Sequence, residues 1–90
     1  MIRSFRAKAL LAYFETGKPV GLSVQNAPRI GRILQALDAA TRPEQMNLPG
    51  LCFHALRGAR RWSVRVTGNW RITFGWDGED AIHVDLEDYH

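Results

Sequence analysis

The spacing of apolar residues changes between the two halves of the chain, and this change predicts helices first and strands afterwards. The clearest helical stripe has apolar residues at i, i+3, i+4 and i+7, and consists of Ile30, Ile33, Leu34 and Leu37. Polar residues such as Arg32 and Gln35 lie between them, so one face is apolar and the other hydrated. Pro28 suits the first helical turn, and Pro43 lies just beyond the predicted end.

A shorter first helix is predicted over residues 5–15. Its apolar residues have a spacing compatible with a helix and are Phe5, Leu10, Leu11, Tyr13 and Phe14. Ser4 is available as the N-cap, and Gly17 follows the predicted end as a residue that tolerates a left-handed conformation. The next residues include Pro19 and Gly21, which do not continue a helix.

In the second half the apolar period falls to two, which is typical of strands with one buried face. Three such strands are predicted, with apolar positions at Trp62, Val64 and Val66, at Trp70, Ile72, Phe74 and Trp76, and at Ile82, Val84 and Leu86. Gly68-Asn69 and Asp77-Gly78 lie between these strands and favour tight hairpins, because these residues tolerate positive φ. Residues 52–57 form a weaker candidate for a further strand of the same meander.

These elements predict one domain over residues 1–90 with an α+β fold, in which two N-terminal helices pack on one face of a small antiparallel sheet. The opposite sheet face is then open to a ligand. We interpret the three tryptophans as core residues. Cys52, on the weaker strand, is interpreted as a small core residue rather than a nucleophile.

Composition narrows the class of protein. The chain has 90 residues, 46% of them hydrophobic and 23% charged, as in ordinary globular domains. One cysteine excludes an intramolecular disulfide and a multi-cysteine zinc site. No apolar run approaches a membrane span and the N-terminus lacks a secretory signal, so we expect a cytoplasmic protein without a membrane partner. We also expect no metal and no cofactor, because ligand spacings and a phosphate-binding glycine loop are missing from the sequence.

Charge is segregated along the chain. The segment from Arg57 to Arg71 contains five arginines and no acidic residue, whereas the residues from Ile72 onwards contain six acidic residues and no lysine or arginine. The first 71 residues therefore carry +9 and the last 19 carry −6, which gives the overall charge of +3. A basic block of this kind is the footprint of a polyanion-binding surface. The alternative is a hydrated face whose arginines are neutralised by the acidic segment.

Strand alternation places the charged residues on the open face of the sheet. Arg65 and Arg71 should point outward from neighbouring strands, and so should His83, Asp85 and Glu87 from the last strand. Asp85 and Glu87 could pair with the arginines, each pair contributing roughly 0.2–1 kcal/mol. The sequence leaves both interpretations open.

The chain ends in a titratable and aromatic cluster, Glu87-Asp88-Tyr89-His90. Together with His54 and the nearby arginines Arg57, Arg60, Arg65 and Arg71, this cluster fits a metal-free ribonuclease chemistry. In that chemistry a base removes the ribose 2′-OH proton, cations stabilise the phosphate charge, and an acid protonates the leaving 5′ oxygen. Taken singly, each histidine is more often a surface or hydrogen-bonded residue, and a terminal tyrosine usually contributes packing.

Several segments together resemble the HigB-type toxins of the RelE/ParE superfamily of bacterial toxin–antitoxin modules. They are the opening Met-Ile-Arg-Ser-Phe-Arg, Phe14-Glu15-Thr16-Gly17, Leu37-Asp38-Ala39-Ala40-Thr41, Met46-Asn47-Leu48-Pro49-Gly50, residues 54–58, residues 68–74 and the terminal Glu87-Asp88-Tyr89-His90. The resemblance runs from end to end.

The resemblance implies a toxin that cleaves mRNA in the A site of the translating ribosome, leaving a 2′,3′-cyclic phosphate and a 5′-hydroxyl without a metal. Carried over by motif position, the catalytic residues would be His54, Arg71, Asp88, Tyr89 and His90. The residues that bind RNA or the ribosome would be Arg57, Arg60, Arg61 and Arg65. Arg57 stands where relatives usually have lysine.

The resemblance also implies partners: a HigA-type helix-turn-helix antitoxin, the 70S ribosome with its mRNA, and operator DNA reached only through the antitoxin. Two other functions stay open from the sequence. One is a ParE-like toxin that acts on DNA gyrase without cleaving RNA, although such relatives usually lack the terminal Asp-Tyr-His. The other is an interaction module that only partners the antitoxin at its operator.

Overall fold

Two helices precede a four-stranded antiparallel sheet in the computed structural model, which describes residues 1–22 and 26–88. The elements are α1 (Lys8–Thr16), α2 (Ala27–Ala39), a short 3₁₀ helix (Pro43–Met46), β1 (His54–Ala55), β2 (Arg61–Arg65), β3 (Trp70–Asp77) and β4 (Asp80–Asp88). The α+β fold predicted from the sequence is thereby confirmed.

The sheet is a meander with the order β1-β2-β3-β4, and every neighbouring pair is antiparallel. The two predicted hairpins are present, and Gly78 in the second turn has a φ of 63°, a conformation that a side chain disfavours. β1 is only two residues long, so it covers only part of the edge of β2.

The helices bury one face of this sheet. The predicted stripe of α2 is fully buried, and it packs with Leu10 of α1 against the sheet. The sheet contributes the buried residues Val64, Val66, Ile72, Phe74 and Val84 to this core. Burial of these side chains removes apolar area from water at about 25 cal/mol per Å², and this term fixes which sheet face the helices cover. The three tryptophans are half-buried and pack against the rim of the core.

Residues 4–7 differ from the prediction. Residues 5–7 do not belong to α1, which begins at Lys8, and Ser4 does not cap it. Instead the N-terminal segment runs parallel to β4: Ile2 bridges Ala81 and Phe5 bridges Val84. The Ser4 hydroxyl accepts a hydrogen bond of 2.8 Å from the backbone N–H of His83. The N-terminal segment therefore closes the sheet edge that β4 would otherwise expose.

A charged cluster fastens the same edge. Arg3 donates hydrogen bonds to Asp77 (2.9 Å) and to Asp80 (2.7 Å). The hydrogen bond to Asp80, followed by that to Asp77, raises the pKa of Arg3, and the hydrogen bond from Arg3 lowers the pKa of Asp80. These groups lie at the end of the sheet farthest from β1.

A β-bulge in β4 corrects the predicted alternation of its first half. Thr73 is opposite Asp85 but Gly75 is opposite Ile82, so one extra residue of β4 is accommodated around His83, whose φ is 52°. Before the bulge, Ala81 is the buried position and Ile82 lies beside Gly75, at 3.3 Å from where a Cβ on Gly75 would stand. The prediction that Ile82 faces the helices is therefore wrong, whereas Val84 is buried as predicted.

Cys52 also differs from its predicted place. It is exposed, has a φ of 49° and precedes β1, which comprises only His54 and Ala55. Neither described helix is long and apolar enough to cross a membrane.

Candidate nucleic-acid site on the open sheet face

The sheet face opposite the helices collects most of the polar residues that the sequence singled out. We call this surface the open face, and it is formed by His54 of β1, Arg61, Ser63 and Arg65 of β2, Arg71 and Thr73 of β3, and Asp85 and Glu87 of β4. These residues alternate with the buried core positions of the same strands and are brought side by side by the strand register.

One row of direct cross-strand neighbours crosses the whole sheet. His54 is opposite Ser63, Ser63 is opposite Thr73, and Thr73 is opposite Asp85. The two ends of this row are accessible, since His54 is exposed and Asp85 is half-buried, whereas Ser63 and Thr73 are 1% and 0% exposed. The middle of the row therefore consists of two buried hydroxyl groups, and its ends are the accessible side chains of His54 and Asp85.

The adjacent row concentrates positive charge. Arg65 is directly opposite Arg71, and Arg71 is opposite Glu87 on its other side. Two like charges at directly opposed positions are destabilising unless an anion or a carboxylate neutralises them. Among the described residues the ion pairs lie at the N-terminal edge, and no carboxylate lies within ion-pair distance of Arg65 or Arg71. Neutralisation of these two arginines by Asp85 and Glu87, the alternative left open by the sequence, is not observed.

Arg61 is held across the sheet by a hydrogen-bond network. Its Nη2 atom donates to Thr73 Oγ1 and to the carbonyl of His83, each at 2.9 Å. The Thr73 hydroxyl in turn donates to Glu87 Oε2. The side chain passes beside Gly75, where a Cβ would stand 3.7 Å from Arg61 Nη1. A Cβ at this position would make ordinary van der Waals contact with the guanidinium, and its tighter neighbour would be Ile82 at 3.3 Å.

Two buried polar atoms of the open face have no hydrogen-bond partner in the described part of the chain. They are the hydroxyl oxygen of Ser63 and the Nη1 nitrogen of Arg71. Most buried polar groups in proteins are hydrogen-bonded, and leaving one unpaired costs about 1–3 kcal/mol. They lie on adjacent strands of one face, and because both atoms are shielded from solvent, a ligand with hydrogen-bond acceptors reaches them only when the side chains that cover them move aside.

The other predicted binding arginines lie at the margin of this face. Arg57 and Arg60 are exposed in the turn between β1 and β2, where Gly58 has a φ of 75°. Arg65 is exposed near the end of β2, and its Nε atom donates to the carbonyl of Thr67. Cations therefore line both ends of β2.

Of the three predicted site residues at the C-terminus, the structure describes only Asp88. Asp88 is exposed at the end of β4 opposite Trp70, one residue out of phase with the open face. Tyr89 and His90 lie outside the described residues. The structure thus groups His54, Arg61, Arg65 and Arg71, and places Arg57 and Arg60 beside them.

Sequence reasoning missed two residues of this site, Ser63 and Thr73, and the role of Glu87, which strand alternation places on the open face only as a possible partner of the arginines. Ser63, Thr73 and Glu87 alternate with core residues, and this outward position next to arginines was the only available signal. Their importance comes from burial and hydrogen bonding, which depend on the cross-strand register and on the course of the Arg61 side chain. In the part of the chain that the structure describes, no cluster of three or more His, Cys, Asp or Glu side chains is assembled as a metal site.

Comparison with known proteins identifies the family. The family model described as RelE-like toxin of type II toxin–antitoxin system HigB matches residues 3–90. The chain is also 42% identical, over 92 aligned residues that cover both chains completely, to a protein of Proteus vulgaris named Endoribonuclease HigB. The chain described here belongs to the HigB-like family of RelE-like toxins of type II toxin–antitoxin systems.

Proposed function

We propose that this chain is a toxin endoribonuclease that cleaves mRNA in the A site of the ribosome and so inhibits translation. The observation that carries the proposal is the unpaired Nη1 atom of Arg71 on a sheet face lined by further arginines. A guanidinium is suited to phosphate because its planar N–H groups bind two phosphate oxygens at once. The name of the Proteus vulgaris relative, Endoribonuclease HigB, supports the same activity.

The proposed reaction needs only groups of the protein and of the RNA. A base removes the proton from a ribose 2′-OH, and the 2′ oxygen attacks the adjacent phosphorus. The bond from phosphorus to the 5′ oxygen of the next nucleotide breaks, and an acid protonates that oxygen. The products are a 2′,3′-cyclic phosphate and a 5′-hydroxyl, so no water, metal or redox partner is consumed.

Roles follow from position and chemistry. Arg71 stabilises the negative charge that builds up on the phosphate during attack. His54 is exposed on β1 beside Ser63 and is one candidate for the base or acid, since an imidazole ring can both accept and donate a proton. His90 is the other candidate, with Asp88 as the group that orients one of the two histidines. Tyr89 stacks on or orients a base of the RNA.

The remaining arginines bind RNA phosphates and take no part in the chemical step. Arg57, Arg60 and Arg65 are exposed along β2 and its preceding turn, and Arg61 lies across the open face. Each contact to an RNA phosphate releases a counterion, so these residues supply affinity for mRNA and ribosomal RNA without sequence discrimination.

Membership of a type II family implies an antitoxin partner. We propose that this partner is a HigA-type helix-turn-helix protein through which the toxin reaches operator DNA, and that the toxin acts in the cytoplasm on 70S ribosomes.

The experiment that tests the proposal uses purified toxin and ribosomes programmed with an mRNA that has one defined codon in the A site. The proposal predicts a single cut at that codon and a 2′,3′-cyclic phosphate on the upstream fragment. The same mRNA without ribosomes serves as the control and should stay intact. Intact mRNA on the ribosome, together with inhibition of DNA gyrase by the toxin, would overturn the proposal in favour of a ParE-like action.

A further inference from the structure

Arg71 and Glu87 occupy directly opposite positions on β3 and β4, where an arginine and a glutamate ordinarily form a cross-strand ion pair. Within the residues that the structure describes, they do not form one. Both side chains are half-buried, so screening by water does not remove their attraction. Something else must therefore hold the Glu87 carboxylate.

The group that holds it is Thr73. Its hydroxyl donates to Glu87 Oε2 and at the same time accepts the 2.9 Å hydrogen bond from Arg61 Nη2. Thr73 is two residues from Arg71 on the same strand and on the same face, so it competes with Arg71 for the same carboxylate. Its 0% exposure shields these hydrogen bonds from competition by water.

The separation of the Glu87 carboxylate from Arg71 affects how an RNA phosphate can bind to Arg71. A carboxylate paired with Arg71 would occupy the N–H groups that a phosphate needs, and its negative charge would repel the phosphate. The Nη1 atom of Arg71 is instead left without a partner among the described residues. The guanidinium is thus not neutralised by Glu87 before an anion arrives, and a phosphate reaches its buried Nη1 atom when the side chains that cover it move aside.

We propose that Thr73 is a positioning residue for RNA cleavage, because its hydroxyl keeps Glu87 away from Arg71 and leaves the guanidinium available to the RNA phosphate. This inference rests on the proposed function, in which Arg71 acts on that phosphate. It adds Thr73 and Glu87 to the reaction as a pair that sets the charge state of the site without touching the substrate.

The test is a rescue experiment in the ribosome cleavage assay. Thr73→Val keeps the shape of the side chain but removes its hydroxyl, so Glu87 turns to Arg71 and the cleavage rate falls by about tenfold or more. The double variant Thr73→Val with Glu87→Gln removes the competing charge and should cleave within about threefold of wild type. Thr73→Ser retains the hydroxyl and should keep the activity. Glu79→Gln, at an exposed turn position away from the open face, is the matched control for loss of a carboxylate.

Rescue is the readout that a purely structural role would not give, because Glu87→Gln restores no packing lost at Thr73. The proposal is overturned if Thr73→Val cleaves as fast as wild type, or if the double variant is as slow as Thr73→Val alone. If circular dichroism shows that Thr73→Val does not fold, Thr73→Ala is compared with Thr73→Ser, and equal activity of these two overturns it.

Crystal structures separate this inference from the proposed function. Wild type should keep Glu87 more than about 4 Å from the Arg71 nitrogens, beyond ion-pair distance, whereas Thr73→Val should show the two in contact. If wild type does not cleave RNA on the ribosome, the proposed function fails, and these structures still decide whether Thr73 controls the position of Glu87. An Arg71–Glu87 ion pair in the wild-type structure would overturn the inference whatever the activity.

Discussion

His54 and Ser63 are direct cross-strand partners on the open face, with an exposed imidazole beside a hydroxyl that is 1% exposed. Such partners have Cβ atoms roughly 4.5–5.5 Å apart, so a phosphate that reaches the Ser63 hydroxyl, once the side chains that bury it move aside, also comes within reach of His54. The hydroxyl has no hydrogen-bond partner in the described ranges. This arrangement links a candidate acid or base to a candidate phosphate ligand.

Ser63→Ala should lower the cleavage activity without lowering the stability of the protein. Removal of an unpaired buried hydroxyl relieves a desolvation cost, so the free energy of unfolding should stay unchanged or rise by up to about 1 kcal/mol. The cleavage rate on the ribosome should fall, by about threefold to tenfold, because the substrate loses a hydrogen bond. Urea unfolding and single-turnover cleavage measure the two effects.

Ser4→Ala is the matched control for Ser63→Ala. The Ser4 hydroxyl accepts a hydrogen bond from the His83 N–H at the edge of the sheet, so its loss should lower the free energy of unfolding by about 1 kcal/mol. The cleavage rate of the folded protein should not change. If Ser63→Ala instead destabilises the protein as Ser4→Ala does, while retaining full activity, the Ser63 hydroxyl is structural.

The effect of Gly31→Ala on the stability of the protein should depend on the side chain of Tyr13. A Cβ at Gly31 would lie 3.1 Å from the Tyr13 hydroxyl, which donates a 2.8 Å hydrogen bond to the carbonyl of Ala27. Alanine gains about 1 kcal/mol of helix propensity over glycine, but here it displaces that hydroxyl, so we expect a net loss of about 1 kcal/mol. In a Tyr13→Phe background the same substitution should stabilise the helix pair. Additive effects in thermal unfolding of the double variant would contradict this explanation.

Asp80→Asn should reduce stability in a pH-dependent way. Arg3 lowers the pKa of Asp80, so the stabilisation that this carboxylate provides is present above the ordinary aspartate pKa and is lost as pH falls through the lowered value. Wild type should therefore exceed Asp80→Asn in melting temperature at neutral pH, by a small amount typical of exposed ion pairs. The two curves should converge in acid. A difference in melting temperature that grows below pH ~4 would contradict the stabilising role of the Arg3–Asp80 pair, since ordinary aspartates protonate there.

Arg57→Gln and Arg60→Gln should weaken RNA binding through salt-dependent contacts. Both arginines are exposed in the turn that precedes β2. Each phosphate contact that is lost should reduce the slope of log affinity against log salt by about 0.7–0.9 and lower affinity for all RNA sequences alike. Arg42→Gln, on an exposed arginine outside the open face, should leave the slope unchanged. Equal slopes for all three variants and wild type would remove the turn from the binding surface.

Most of the fold follows from residue periodicity. The stripe of α2 is buried as its spacing predicts, and the two hairpins lie at Gly68-Asn69 and Asp77-Gly78. The prediction is wrong at residues 4–7, because Phe5 fits a helical spacing locally, yet its partner is Val84 in a strand 79 residues away. Alternation also failed at Ile82, because a bulge around His83 shifts the pattern by one residue and no local signal marks it.

The candidate site was predictable in its charges but not in its contacts. Alternation is sufficient to bring Arg65 and Arg71 onto one face. Side-chain geometry determines whether the Glu87 carboxylate contacts Arg71 or Thr73. It also determines the burial of Ser63. Such competition among neighbouring polar groups is a tertiary property, which a one-dimensional pattern does not contain.

In the proposed mechanism Arg71, whose Nη1 atom has no partner among the described residues, acts on the RNA phosphate. The most direct measurement is the single-turnover rate of A-site mRNA cleavage by Arg71→Ala, compared with Arg32→Ala on the helical side of the molecule. Arg71→Ala should slow cleavage by about a hundredfold or more while keeping the wild-type unfolding midpoint, and Arg32→Ala should cleave like wild type. Cleavage by Arg71→Ala at the wild-type rate would contradict this role of Arg71.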